Sequence, residues 1–313
     1  MKIRNFNDIT KFLRSQSKRM HVIVAGLADE STKIAVSDAI SQGIAVATFV
    51  GADENLLQQS CFDGLHEYIN VIPMPDADED AIALAAVRKI NDGTGDFLMK
   101  GLIHTDNILR AVLNKEEGLL EKGKILTHVA ITQLRNYPKL LFFSDSAVIP
   151  EPTTMQRMAQ VGYLTEACRA FGIRRPRLAL IHFTEKVNSK FPCTLDYEDL
   201  KSQAKHGRWG NIIIDGPLDT RCAVDKEALA TKGIITPLEG NSDALLFPNL
   251  EAANTFYKTV SYFADAKIAG MIYGAKCPVV VTSRGDDRVS KYRSLIAAAT
   301  LQLYAGKTAE CGK

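Results

Sequence analysis

Eight short apolar runs, most of them separated by stretches of helical periodicity, constrain this chain more than any other feature. They span residues 21–25, 45–50, 97–102, 139–144, 178–183, 212–215, 244–247 and 278–282. Each has the length of a buried strand. Helical patterns lie at 31–42, stopped by Gly43; at 79–90, closed by Asn91-Asp92-Gly93; at 155–170, stopped by Gly172; and at 250–264. Strands that alternate with helices bury both their faces when the helices cover a largely parallel sheet, so an α/β layered architecture is predicted. In the last helix, Asn249 is placed to cap the first turn. Leu250, Ala253, Tyr257, Val260 and Ala264 recur at helical spacing as a buried stripe. Asn254 and Lys258, four apart, share another face, which for such a pair is ordinarily a solvated edge.

At 313 residues the chain exceeds what one hydrophobic core usually supports, and two domains are expected. Pro150-Glu151-Pro152 is the strongest mid-chain punctuation and marks a plausible crossing between them. A net charge of +2 gives no general attraction to nucleic acid or membrane surfaces. No apolar run approaches the ~20 residues of a membrane span. The N-terminal segment MKIRNFNDITKFLRSQSKR lacks an apolar signal core and reads as a surface helix, so a cytoplasmic location is expected. The six cysteines are scattered, with no CxxC pair, which fits reduced thiols rather than a metal site. Gly93-Thr94-Gly95 precedes its strand, where a dinucleotide loop would follow one, and neither GxxxxGK[ST], HExxH nor GxSxG occurs.

Two strand ends carry the chemistry. The run CPVVVTSRGDDRVSK ends its strand in Ser283-Arg284-Gly285, and ligands of open α/β sheets gather at carboxyl ends of strands. An arginine fork matches phosphate oxygens, and glycine lets the backbone approach. The alternative is a turn in which Arg284 pairs with Asp286 or Asp287. The block DFLMKGLIHTDNILRAVL repeats the grammar, with Gly101 at the strand end, then His104-Thr105-Asp106-Asn107, then Arg110 on a helix. Taken alone, Thr105 would cap that helix, His104 would be a packed or solvent-facing histidine, and Asp215-Gly216-Pro217 would close its strand as a turn. Two strand-end arginines point to a phosphorylated or phosphate-like substrate.

Five ordered blocks, MKGLIHTDNILRAVLNKEEGL, FGIRRPRLALIHF, IIIDGPLDTRCAV, DALLFPNLEAANTFYK and GAKCPVVVTSRGD, resemble the phosphate acetyltransferase and phosphate butyryltransferase family. Their wording is closer to the butyryl branch. The resemblance implies a reversible exchange in which acyl-CoA and phosphate give acyl phosphate and CoA, with CoA and phosphate as substrates and no metal or prosthetic group. It implies two α/β/α domains flanking a cleft, similar to isocitrate and isopropylmalate dehydrogenases. Domain I would comprise 1–144 plus 280–313, and domain II, carrying the dimer contact, 145–279. A homodimer and coupling to an acyl (butyrate or acetate) kinase are implied partners. By the same resemblance, Arg110 and Arg284 hold phosphate or acyl-phosphate oxygens, with Ser283 and Thr105 as hydrogen-bond donors. His104, Gly285 and Asp215 join Asn254 and Lys258 of the family's N-x-x-Y-K element as substrate-binding candidates, with Ala253 where a glycine is common. The acetyl branch has an aspartate seven residues after the serine of the turn; here that residue is Ser290, and Asp286 becomes the candidate base. Acetyl transfer is the close alternative. A metal- and nicotinamide-dependent dehydrogenase would need a paired-aspartate motif late in the chain, which is lacking. A non-catalytic homologue is opposed by the intact Thr105, Arg110, Asn254, Lys258, Ser283 and Arg284 set.

Overall fold

Most helices begin where a short polar side chain can accept a backbone N–H. Asp29, Asp78 and Asn249 accept from Thr32, Ala81 and Ala252, and Thr153 forms a reciprocal capping box with Gln156. The structure is a computed structural model that describes residues 3–282 and 287–311. It resolves into a terminal unit, Phe6–Leu126 with Ile268 onward, and a central unit, Thr127–Lys267 with the first residues of the chain. The returning C-terminal segment joins the N-terminal part, while residues 127–144 group with the central segment and 268–279 with the terminal one. The unit boundaries therefore differ from the expected 144 and 280.

Numbered along the chain, the terminal unit holds α1 (Phe6–Arg14), β1 (Met20–Ala25), α2 (Glu30–Ser41), β2 (Ala45–Val50), β3 (Ile69–Ile72), α3 (Glu79–Asn91), β4 (Phe97–Lys100) and α4 (Thr105–Val112). The central unit holds β5 (Thr127–Gln133), β6 (Leu141–Ser144), α5 (Thr154–Ala170), β7 (Arg177–Ile181), α6 (Pro192–Lys205), β8 (Ile213–Leu218), α7 (Thr220–Val224), α8 (Lys226–Lys232), β9 (Ala244–Leu246) and α9 (Leu250–Phe263). The terminal unit is completed by β10 (Lys267–Tyr273), β11 (Val279–Val280) and α10 (Arg288–Cys311).

Strands of the terminal unit run in the order β3-β2-β1-β4-β11-β10, parallel except for β10 against β11. Ala25 of β1 lies beside Lys100 of β4, and Met99 beside Val280 of β11, so three carboxyl ends converge. From β1 the chain proceeds to β2 on one side and later to β4 on the other, which makes their junction a topological switch point, the ordinary ligand crevice of such sheets. Gly101 is required there. A side chain on it would press on the carbonyls of Ala25, Gly26 and Leu27. The N-terminal helix α1 is amphipathic, burying Phe6, Ile9 and Leu13.

The central unit orders its strands β5-β6-β9-β7-β8, with only β5–β6 antiparallel. Phe143, Leu245, Phe247 and Ala253 lie in its core, and the Phe143 ring meets Phe256 edge-on at 5.2 Å. On α9, Ala253 and Val260 are buried, Leu250 and Tyr257 are half-buried, and Ala264 is the exposed C-cap. The predicted stripe holds in its middle and frays at its end. Three strands escape the sequence pattern: β3, β5 and β10. In β5, THVAITQ, polar side chains fill positions buried on both faces, so neither alternation nor a pure apolar run advertises it. Among the described residues no helix is long and apolar enough to cross a membrane.

Candidate functional site

At the end of β4, Lys100 is only 5% exposed and turns its ammonium onto the carbonyls of Gly101, at 3.1 Å, and Ile103, at 3.0 Å. The N–H groups of Gly101 and Leu102 donate to Ala25 and Leu27, at 2.9 and 2.6 Å. The loop leading into α4 is therefore pinned to β1 and to its own lysine. His104, not Thr105, occupies the N-cap position of α4. Its backbone N–H and its Nδ1 both lie 2.7 Å from one Glu79 carboxylate oxygen, which explains why it needs no capping role. Thr105 is the exposed first residue of the helix. One turn on, Arg110 Nη1 sits 2.6 and 2.7 Å from the two oxygens of Asp80, and the Asn107 amide donates to the same carboxylate at 2.8 Å.

Below the end of β1, Asp29 caps α2 and receives the Lys291 ammonium at 2.6 Å. Lys291 is 2% exposed and also reaches Thr32 Oγ1 at 3.0 Å. Burial pushes the Asp29 carboxyl upward, but the Lys291 ammonium and the Thr32 N–H outweigh it and hold it below its ordinary value. This pair ties the first turn of α10 to the first turn of α2. Ser283, Arg284, Gly285 and Asp286, the leading candidates from the sequence, lie outside the described residues, between β11 and α10.

The central unit builds a second polar group at the carboxyl end of β6. Asp145 is 3% exposed. One of its oxygens accepts the N–H groups of Ala147 and Val148, each at 2.9 Å; the other accepts Ile149 N–H at 3.1 Å and the Thr127 hydroxyl at 2.9 Å. Four donors fix the loop 145–149. Its carbonyl at Ser146 accepts the Asn254 amide at 2.9 Å, and its Ser146 Oγ lies 2.9 Å from Nδ1 of His128. Desolvation lowers the His128 pKa; Asp145 opposes that shift and Lys258 adds to it. The Tyr257 ring lies 6.3 Å from the His128 ring and 5.1 Å from Lys258 Nζ.

His104, Thr105 and Arg110 are thus gathered on α4, and Asn254 and Lys258 on one face of α9. Asp215 belongs to neither group: it accepts the Thr236 hydroxyl at 2.7 Å and faces Lys201 at 3.7 Å. Asp145, Ser146 and His128 were not singled out from the sequence. The available signal was Ser144-Asp145-Ser146 directly after the apolar run, the same strand-end grammar as the other two blocks. Among the described residues, one grouping has metal-ligand spacing: Glu185, Asp219 and Cys222. The Lys232 ammonium already bonds both of its carboxylates, which gives the acidic pair a structural counter-ion. Burial pushes the Cys277 thiol up to about 12 and raises that of Cys168, as expected of packed rather than nucleophilic cysteines.

The family described as phosphate acetyl/butaryl transferase matches residues 74–299, which include the candidate residues on α4 and α9. The chain belongs to this family. A phosphate butyryltransferase of Clostridium acetobutylicum is 35% identical to this family member over 95% of the chain and 98% of its own length. A phosphate acetyltransferase of Thermotoga maritima is 34% identical over 73% and 76%. Among solved structures, a branched-chain phosphotransacylase from Enterococcus faecalis covers 90% of the chain and 99% of its own, with a TM-score of 0.79 and 29% identity. A 4-hydroxythreonine-4-phosphate dehydrogenase from Salmonella typhimurium, 11% identical with a TM-score of 0.56, shares the fold alone. As a member of this family the chain is an acyltransferase.

Proposed function

We propose that this acyltransferase is a phosphate butyryltransferase, which converts butanoyl-CoA and phosphate reversibly into butanoyl phosphate and CoA. Two clostridial phosphate butyryltransferases, 35% and 33% identical over 95% of the chain, against 30% over 91% for a phosphate acetyltransferase, carry the assignment. In the forward direction a phosphate oxygen attacks the thioester carbonyl. The C–S bond then breaks, and the proton lost by phosphate ends on the CoA sulfur. Holding two anions in line is largely a positioning task, and the carbonyl oxygen needs donors as it gains charge.

Asn254 and Lys258 supply an amide and a cation on one face of α9, and Thr105 and Arg110 a hydroxyl and a guanidinium on α4. Arg110 exchanges Asp80 for substrate at small cost, because exposed pairs of this kind are commonly worth ~0.2–1 kcal/mol while a charged hydrogen bond brings ~1.5–3 kcal/mol. We assign Ser283, Arg284 and Asp286 to the same reaction on the motif alone. No metal or prosthetic group is invoked. The enzyme is further proposed to work in the cytoplasm as a homodimer docked through the central unit, where α9 leaves Tyr262 and Phe263 exposed, and to be coupled to an acyl kinase.

The deciding measurement is phosphate-dependent release of free thiol from acetyl-, propionyl-, butyryl- and isobutyryl-CoA. The highest kcat/KM on butyryl-CoA is the expected result. An acetyl preference would reassign the branch, and thiol release that ignores phosphate would end the assignment. One methylene in an apolar pocket is worth ~1–3 kcal/mol, so a preference of roughly tenfold or more is expected.

A further inference from the structure

His128 is an unusual residue to find in the middle of this polar group. It sits on β5 with 8% of its surface exposed, its Nδ1 engaged by Ser146. Ser146 is itself nearly buried, and its carbonyl anchors Asn254. The charged groups that act on the imidazole are Asp145, from the loop after β6, and Lys258, from α9; the Tyr257 ring fills the space beside it. The Asp145 carboxylate is spent on three backbone N–H groups and a hydroxyl. Lys258 is exposed and therefore open to an anion.

We propose that His128 is a positioning residue that couples anion binding at the Asn254–Lys258 face of α9 to proton uptake. Its reach to the anion runs along two lines. Through Ser146 it holds the loop that anchors Asn254, and through space it shares the field of Lys258. Without an anion, desolvation and the Lys258 charge lower the His128 pKa and so favour the neutral imidazole. An anion that neutralises Lys258 removes the repulsive charge and adds an attractive one, so protonation of His128 becomes easier. By linkage the same coupling makes the anion bind more tightly as pH falls through the range in which His128 titrates. For the acyltransferase this places a proton near a bound phosphate in the direction that must return a proton to the CoA sulfur. The inference rests on the proposed use of Asn254 and Lys258 as an anion face, but its test does not depend on turnover.

The test is the His128 titration in the full-length protein, followed by NMR of labelled histidine, with the resonance assigned through His128→Gln. Sulfate is the probe, because it carries phosphate-like charge without titrating near neutrality. Saturating sulfate should raise the His128 pKa by about 0.5 unit, the order of shift expected from a nearby charge at a partly screened site. Lys258→Met should raise it without sulfate and abolish the response to sulfate. A histidine not coupled to the α9 face would move in neither case. Sulfate that perturbs α9 resonances but leaves His128 unmoved would overturn the coupling while leaving the acyltransferase assignment standing. Sulfate that leaves α9 untouched at saturating concentration would overturn it as well. A sulfate-induced shift in protein that releases no CoA would sustain the coupling and count against the assignment.

Discussion

Replacing Asp145 by asparagine changes one atom of the carboxylate and should loosen the loop that presents Ser146. In the native protein one Asp145 oxygen serves Ala147 and Val148, and the other serves Ile149 and the Thr127 hydroxyl. The amide keeps a carbonyl for the first pair but turns an NH2 toward the second. Thr127 can reorient, because Ser144 Oγ lies 3.0 Å away as another partner. Ile149 N–H cannot, and a buried donor left unpaired costs ~1–3 kcal/mol. Loss of the charge weakens the two bonds that remain by ~0.5–1 kcal/mol each, for a total of ~2–5 kcal/mol. That penalty falls on a local opening rather than on the whole chain, so the informative assay is amide hydrogen exchange over residues 147–149. Exchange there should accelerate at least ~30-fold, with peptides of β7 and β8 unchanged. Because Asn254 hangs on Ser146, KM for phosphate should rise together with exchange. Exchange within threefold of wild type would refute the view that the Asp145 carboxylate organises this loop.

Lys291→Met removes one partner of a buried pair and should lower stability, and with it Tm, the loss being less than the ~3–5 kcal/mol typical of fully buried pairs because Asp29 keeps its helix cap. Since Asp29 titrates below its ordinary 3.8 in the folded protein, its contribution is present above that value and lost as pH falls through the folded value. The Tm gap between wild type and variant, followed by scanning calorimetry, should accordingly narrow only at pH below 3.8. Arg110→Ala should raise KM for phosphate about tenfold with little change in Tm, since the exposed Asp80 pair contributes little to stability; Arg110→Lys should restore only part, lacking the planar fork. Prolonged chelation should leave thiol release unchanged, because Lys232 already serves as counter-ion to Asp219 and Glu185; a lost rate recovered with a divalent cation would contradict this.

Local rules were enough to determine much of the molecule. Periodicity placed α2, α3, α5 and α9 within a residue or two of where they lie, and Asn249 caps α9 as its side chain requires. These features depend on neighbours three or four residues away, which the sequence displays directly. The alternation of strand and helix likewise dictated a mostly parallel α/β arrangement, and the motif blocks pointed to the family and to the residues on α4 and α9. What only tertiary structure decided was which polar residues share an environment. His128 and Ser146 are 18 positions apart, Asn254 and Ser146 are 108 apart, and Asp29 and Lys291 are 262 apart. Their meeting follows from strand order, in which β6 lies between β5 and β9 and β4 between β1 and β11. β5 stayed hidden for the same reason: its buried Thr127 and His128 find their partners, Asp145 and Ser146, only in the packed chain. Asp215 shows the same dependence, since the sequence reads it as a strand-end carboxylate, whereas it lies inside β8 with Thr236 and Lys201 as partners. A one-dimensional pattern records the chemistry a residue can perform; whether that chemistry is spent on the fold or left for a ligand depends on the hydrogen-bond partners that only the packed chain supplies.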